Sequence, residues 1–295
     1  DRVGQACRAL VEAIRHDMQG AYGTVGADAA IGLPASDVID ATVAHYRQSF
    51  DPRHGGLSRA PKFPSHIPVR LLLRYHQRTG DADALRMATL TLEKMAAGGL
   101  YDQLGGGFHR YSTDVRWLVP HFEKMLYDNA LLVVAYAEAF QVTGRADFAR
   151  VARETCDYIL REMTDAGGGF YSATDADSEG EEGRFFVWRE DEIRRELDAL
   201  GDGDTTERFL AHYDVHPGGN WEGHTILNVP RPDEAAWEAL AAARARLYAV
   251  RARRTPPLAS APSSLNLPLP RPPAWIWDFT TYSGPGRRLA AASAS

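Results

Sequence analysis

Cysteine is almost missing from this sequence: Cys7 and Cys156 are the two it has in 295 residues. That excludes a disulfide framework, a C-x-x-C redox pair and a thiolate metal cluster. Cys156 falls on an apolar helical face with Phe148, Val151, Thr155 and Ile159, where a thiol behaves as a small buried hydrophobe. No apolar run approaches the roughly 18–20 residues that span a bilayer. The start, Asp1-Arg2, lacks both the apolar core of a signal peptide and an initiator Met, so a fragment is expected. Charge of one sign is also missing. With 33 basic and 39 acidic residues interleaved, the net is -6, which leaves no electrostatic footprint for nucleic acid or an anionic membrane. A reducing, cytoplasmic setting is expected. Neither a G-x-S-x-G elbow, a Walker loop, a dinucleotide fingerprint nor an H-E-x-x-H helix is present, which disfavours serine-hydrolase, nucleotide and zinc-protease chemistry. No cofactor is expected.

Glycine is plentiful, with 26 residues. Much of it recurs in four loops: Asp51-Pro-Arg-His-Gly-Gly-Leu57, Leu104-Gly-Gly-Gly-Phe-His-Arg-Tyr-Ser112, Ala166-Gly-Gly-Gly-Phe-Tyr-Ser172 with its acidic continuation to Ser178, and Gly218-Gly-Asn-Trp-Glu-Gly223. The flanking helices repeat as well, since Gln77-Arg-Thr-Gly-Asp-Ala-Asp83 returns 64 residues later as Gln141-Val-Thr-Gly-Arg-Ala-Asp147. Such a period marks a repeat architecture whose units bury their apolar faces against one another. Apolar spacing predicts helices over 2–18, 36–48, 67–78, 83–97, 120–142, 146–163, 189–200, 204–213 and 232–252. Arg184-Phe-Phe-Val-Trp188 reads as a short strand.

Antiparallel helix pairs at this period predict an all-α fold, an α/α toroid of helix hairpins with short β arms in its loops. The chain supplies only part of a six-hairpin ring. Residues 1–30 read as a tail and linker, and residues 31–255 as the incomplete toroid. From 256 to 295 the density of proline predicts a disordered or aberrant tail.

Loops that return at one end of each hairpin gather function there. His109 and Arg110 offer a proton shuttle beside a fixed cation. On a helix starting at Pro120, His121, Lys124 and Asp128 would share one face, and Glu123 and Tyr127 another. In the third loop Asp175 and Asp177, with Tyr171, offer paired carboxylates for acid/base work on a sugar. Trp221, flanked by Asn220 and Glu222, offers a stacking platform with hydrogen-bonding edges. His54, Lys62 and Tyr111 extend the same theme. The alternatives are a solvated helix face, a hydrogen-bonding loop histidine, an acidic turn and a tryptophan covering the core. The Asp175-Ala-Asp177-Ser-Glu179 run lacks the glycine and terminal Glu of a calcium loop, so no metal is expected.

Five long motifs occur in order: Phe50–Leu57 with Ala60–Pro64, Gly98–Ser112, Trp117–Asn129, Ser172–Gly180 and Asn220–Gly223. Together they closely resemble the thioredoxin-domain-containing, spermatogenesis-associated protein family of bacteria and animals. The resemblance implies a thioredoxin-like domain upstream, carrying the redox C-x-x-C, and residues 1–30 as its tail. It implies a helical toroid similar to six-hairpin glycosidases and N-acylglucosamine 2-epimerases, associated with carbohydrate metabolism. After Pro257 the family continues with further hairpins where this chain has its proline-rich tail. The expected function is therefore a carbohydrate-binding or carbohydrate-modifying domain, with a sugar as its partner. The rivals are a non-catalytic scaffold beside a redox domain and a truncated inactive fragment. A catalytic reading requires His109, His121, Asp175 and Trp221 to converge; a scaffold lets them scatter.

Overall fold

The computed structural model describes residues 36–201 and 203–260, together with Glu12. The readings over residues 2–34 and beyond residue 260 lie outside the described residues. The chain divides into two compact units, residues 1–44 and 45–295. The first helix whose bounds are described, α1 (Ser36–Ser49), carries Asp37 in its first turn and Arg47 in its last, the charge order that the helix dipole favours.

In the second unit the helices come in consecutive pairs. They are α2 (Val69–Thr79) with α3 (Ala82–Ala97), α4 (Leu126–Thr143) with α5 (Ala146–Glu162), α6 (Glu190–Asp198) with α7 (Gly203–His212), and α8 (Glu234–Ala239) with α9 (Ala241–Arg251). The first two pairs turn by the same device. Gly80 and Gly144 stop α2 and α4 with φ of 76° and 72°, each donating its N–H to a carbonyl four residues back. Only glycine takes that left-handed cap without strain. Asp81 then caps α3 by accepting from the Ala84 N–H. α2 packs on α3 and α4, α4 on α5, and α9 on α6 and α7. The interior combines Leu72, Leu73, Met87, Leu92, Tyr136, Phe148 and Val151. A second cluster gathers Trp188, Ile193, Phe209, Tyr213, Leu240 and Leu247. The fold is all-α, of the α/α-toroid hairpin class, with two-residue β arms in its loops.

The glycine loops repeat in atomic detail. In the first, the Asp51 N–H donates to the Gly56 carbonyl and the Gly55 N–H to the Asp51 carbonyl, both at 2.9 Å. In the second, Asp102 with Gly107 and Gly106 with Asp102 do the same at 3.0 and 2.9 Å. Each aspartate also accepts two backbone N–H groups of its own loop, from Arg53 and His54 or from Leu104 and Gly105. A lysine from downstream then closes each loop. Lys62 Nζ lies 2.8 Å from Asp51 and 2.7 Å from the Gly55 carbonyl. Lys124 Nζ lies 2.9 Å from Asp102 and 3.0 Å from the Gly106 carbonyl. The third loop, Asp165 to Gly169, is one residue shorter and has no lysine; Tyr171 Oη donates to Asp165 at 3.2 Å instead. At Gly55 a side chain is penalised on two counts, a φ of +66° and a Cβ that would lie 2.6 Å from the Thr91 Cα.

Four sequence readings are corrected. The helix expected from Pro120 begins at Leu126, so His121, Lys124 and Asp128 do not share a helical face. Residues 120–125 are extended: β2 (Pro120–His121) pairs with β1 (Tyr111–Ser112), and β3 (Lys124–Met125) with β4 (Ala173–Thr174). Alternation there points Phe122 and Lys124 inward and His121 and Glu123 toward the surface. Arg184–Trp188 is a turn built on Gly183, whose carbonyl accepts from Phe186 and Val187; only Trp188 makes a bridge, to Thr225. The helix expected over 232–252 breaks at Leu240. Residues 256–260, read as the start of the tail, are docked: the Asp175 backbone N–H donates to the Leu258 carbonyl, and Ser260 Oγ bonds Ser172 and Ala173.

Candidate functional site

The second loop brings its aspartate, Lys124 and Arg251 into one buried centre. Arg251 grips Asp102 with two parallel hydrogen bonds of 2.7 and 2.8 Å while Lys124 holds it from another side. Burial alone would raise the Asp102 pKa, but the two cations outweigh it and hold the carboxyl well below its usual range. Burial lowers the Lys124 pKa, which its ion pair only partly restores. Its ammonium also lies 4.2 Å from the centre of the Tyr158 ring.

His109 sits beside this centre, 2% exposed. Its Nδ1 donates to the Phe122 carbonyl at 2.8 Å, and its ring meets Phe122 and Phe186 edge-on. Burial, reinforced by Lys124, pushes its pKa down to about 3. At neutral pH it is a neutral, packed hydrogen-bond donor.

The surface-facing residues of the same strands form a line of titratable groups. The β1–β2 register sets Tyr111 opposite His121, with their rings stacked at 5.1 Å. Phe63 also stacks on Tyr111, at 4.6 Å. Arg110 pairs with Glu123 at 2.8 Å, and Glu123 lies 3.8 Å from His121 Nε2. His121 Nδ1 lies 2.7 Å from Glu182. Glu182 arrives on a two-residue hairpin in which β5 (Asp177–Ser178) pairs with β6 (Glu181–Glu182). Its turn, Glu179-Gly180, has positive φ at both residues, matching the twist of tight hairpins. Sequence reasoning passed over Glu182; Glu-Gly between two strand-like pairs was the available signal.

Glu182 also lines a cavity of about 990 Å³, together with Trp221, Glu222, His224, Arg184 and Arg254. Trp221 packs against Phe122 at 5.5 Å, so His109, Phe122 and Trp221 form a continuous aromatic backing. Glu222 holds a left-handed backbone, φ 47°, at the cavity wall.

The structure brings together Arg110, Tyr111, His121 and Glu123, and links them through Glu182 to Trp221 and Glu222. His109 lies behind Phe122. The remaining candidates stand apart. Asp175 and Asp177 are exposed, Asp175 capping the Asp177 N–H at 3.3 Å, and neither lines this cavity. Asn220 uses both ends of its amide on the Ile226 backbone. Lys62 and Tyr171 close glycine loops. The His54 carbonyl accepts the Trp117 indole N–H at 2.9 Å. Asp128 is buried, with a carboxyl oxygen lacking any hydrogen-bond partner among the described residues. Among the described residues, no three or more His, Cys, Asp or Glu side chains are grouped to hold a metal ion. None of the described helices is long and apolar enough to cross a membrane.

Hairpins turned by left-handed glycines and loops clasped by buried aspartates define an all-α hairpin protein with polar loops. No family model matches the chain. Over 188 residues it is 42% identical to spermatogenesis-associated protein 20 of Homo sapiens and 41% identical to that of Mus musculus, covering 59% of this chain and 24% of theirs. An uncharacterized protein of Caenorhabditis elegans is 34% identical over 201 residues, which are 63% of this chain and 27% of that protein. The resemblance drawn from the five motifs is borne out, and the chain spans about a quarter of the length of these relatives. Among solved structures it is similar to a cellobiose 2-epimerase from Spirochaeta thermophila, at 23% identity and a TM-score of 0.41 over 47% of this chain and 39% of that one. It is also similar to a family 76 glycoside hydrolase, a mannosidase from Bacteroides thetaiotaomicron, at 17% identity and 0.32 over 36% of this chain and 28% of the enzyme. Overlaps this partial carry no argument about chemistry.

Proposed function

We propose that this chain is part of a carbohydrate-binding or carbohydrate-modifying domain, with its site in the cavity between Glu182 and Trp221. One observation carries the reading: Glu182 is at once the partner of His121 and a wall of the cavity that Trp221 lines. A carboxylate beside an imidazole supports it as a general acid or base, and an indole offers a sugar ring a stacking surface. Glu222 supplies a further carboxylate at the wall, and Arg110 fixes Glu123 beside His121. In an epimerase-type reaction His121 would move a proton at the carbon being inverted. In a glycosidase-type reaction the carboxylates at the wall would divide the acid and nucleophile roles. The parent protein is expected to be cytoplasmic, with residues 1–30 following a thioredoxin-like domain.

The test is titration of neutral and acidic mono- and disaccharides into this chain and into the full-length protein, read by indole fluorescence and NMR. Saturable binding that Trp221→Ala and Glu182→Gln each weaken is expected. Folded protein that answers no saccharide sinks the reading. The scaffold reading draws on one observation, that Lys62, Asn220 and Tyr171 are committed to internal bonds.

A further inference from the structure

A recess of about 230 Å³ opens between the turn Pro64–His66, the start of α2 and the first turns of α4. Its walls are mostly apolar, with Pro64, Ile67, Pro68, Leu131, Leu132 and Ala135 among them. One carboxylate stands at that wall. Asp128 is 6% exposed, and its Oδ2 has no hydrogen-bond partner among the described residues. An unpaired carboxylate among apolar groups is costly, and a titratable group so placed in a recess is a candidate for ligand binding. Burial pushes the Asp128 pKa up to about 6, with Arg110 drawing it down and Glu123 pushing it further up. The recess has one cation on its wall, Arg70, and Glu138 engages it at 2.7 Å.

We propose that this recess binds a small primary alkylammonium ion, its cation paired with Asp128 and its chain lying against Pro64, Leu131 and Leu132. An ionised carboxylate only accepts hydrogen bonds, so it selects a ligand that only donates. An ammonium does so and adds Coulomb attraction near apolar walls, where the effective dielectric is low. The volume is below the roughly 300 Å³ at which drug-sized sites begin, which limits the ligand to a short aliphatic chain. The site shares no residue with the cavity proposed for sugars, so either can fail alone.

The test is titration of n-butylammonium chloride at pH 7.5 and fixed ionic strength, followed by calorimetry and by the amide signals of residues 64–71 and 126–135. Saturable binding is expected, weakened about tenfold or more by Asp128→Asn and unchanged by His121→Ala. Ala135→Leu, which fills the recess and leaves the carboxylate in place, is expected to abolish it. Equal binding by n-butanol, binding indifferent to Asp128→Asn in a variant whose circular dichroism is native, or no response at all would overturn the proposal.

Discussion

At Asp102 a single buried carboxylate faces two cations, Lys124 and Arg251. Asp102→Asn leaves both without a counter-charge, whereas Lys124→Met leaves the two-pronged pair with Arg251 intact. Breaking a buried pair from one side costs about 3–5 kcal/mol, so the asparagine variant is expected to lose at least that, and more than the methionine variant. Urea denaturation of the two settles the order. His109 and Asp128 act on stability in opposite directions as acid is added. The unfolded chain protonates histidine near 6.5 while the native ring resists to about 3, so stability falls as pH drops below 6.5. The native Asp128 takes its proton near 6, above its unfolded value near 3.9, so stability falls as pH rises through that interval. His109→Gln should therefore flatten the acid-side loss between pH 6.5 and 4, and Asp128→Asn should steepen it. Urea midpoints across that range check both.

Among the elements, the paired helices were legible because they are long and their turns carry a chemical marker. Thr-Gly-Asp at Thr79–Asp81 and Thr-Gly-Arg at Thr143–Arg145 each place glycine where a left-handed cap is needed. The glycine loops were legible as repeats, and the clasp inside them was not. Nothing local ties Lys124 to a carboxylate 22 residues earlier, or Arg251 to one 149 residues earlier. The stretch from Pro120 to Met125 was misread because a two-residue strand is too short for its alternation to show against a neighbouring helical pattern. Glu182 escaped for the same reason. A substitution pair tests the loop geometry: Gly144→Ala meets open space and strains only the backbone, whereas Gly55→Ala also collides with the Thr91 backbone. The first is expected to lose about 1–2 kcal/mol and the second distinctly more, as thermal unfolding would register.

At the scale of the molecule, Arg251 ties the last described helix to the second glycine loop, with Glu192 and Arg254 making a further link between residues near its end and α6. Arg251→Met should therefore release α9 before it disturbs α2–α5, seen as faster amide exchange confined to residues 241–251. If α2–α5 exchange faster to the same extent, the centre supports the whole hairpin array and not one helix. The 149-residue gap between Asp102 and Arg251 also has a consequence for synthesis. Lys124 is translated soon after Asp102, so the nascent chain can form a neutral pair early. Arg251 joins only once α9 has left the ribosome. Until then the loop waits with one partner, and α9, the last described helix, completes a centre begun 149 residues earlier.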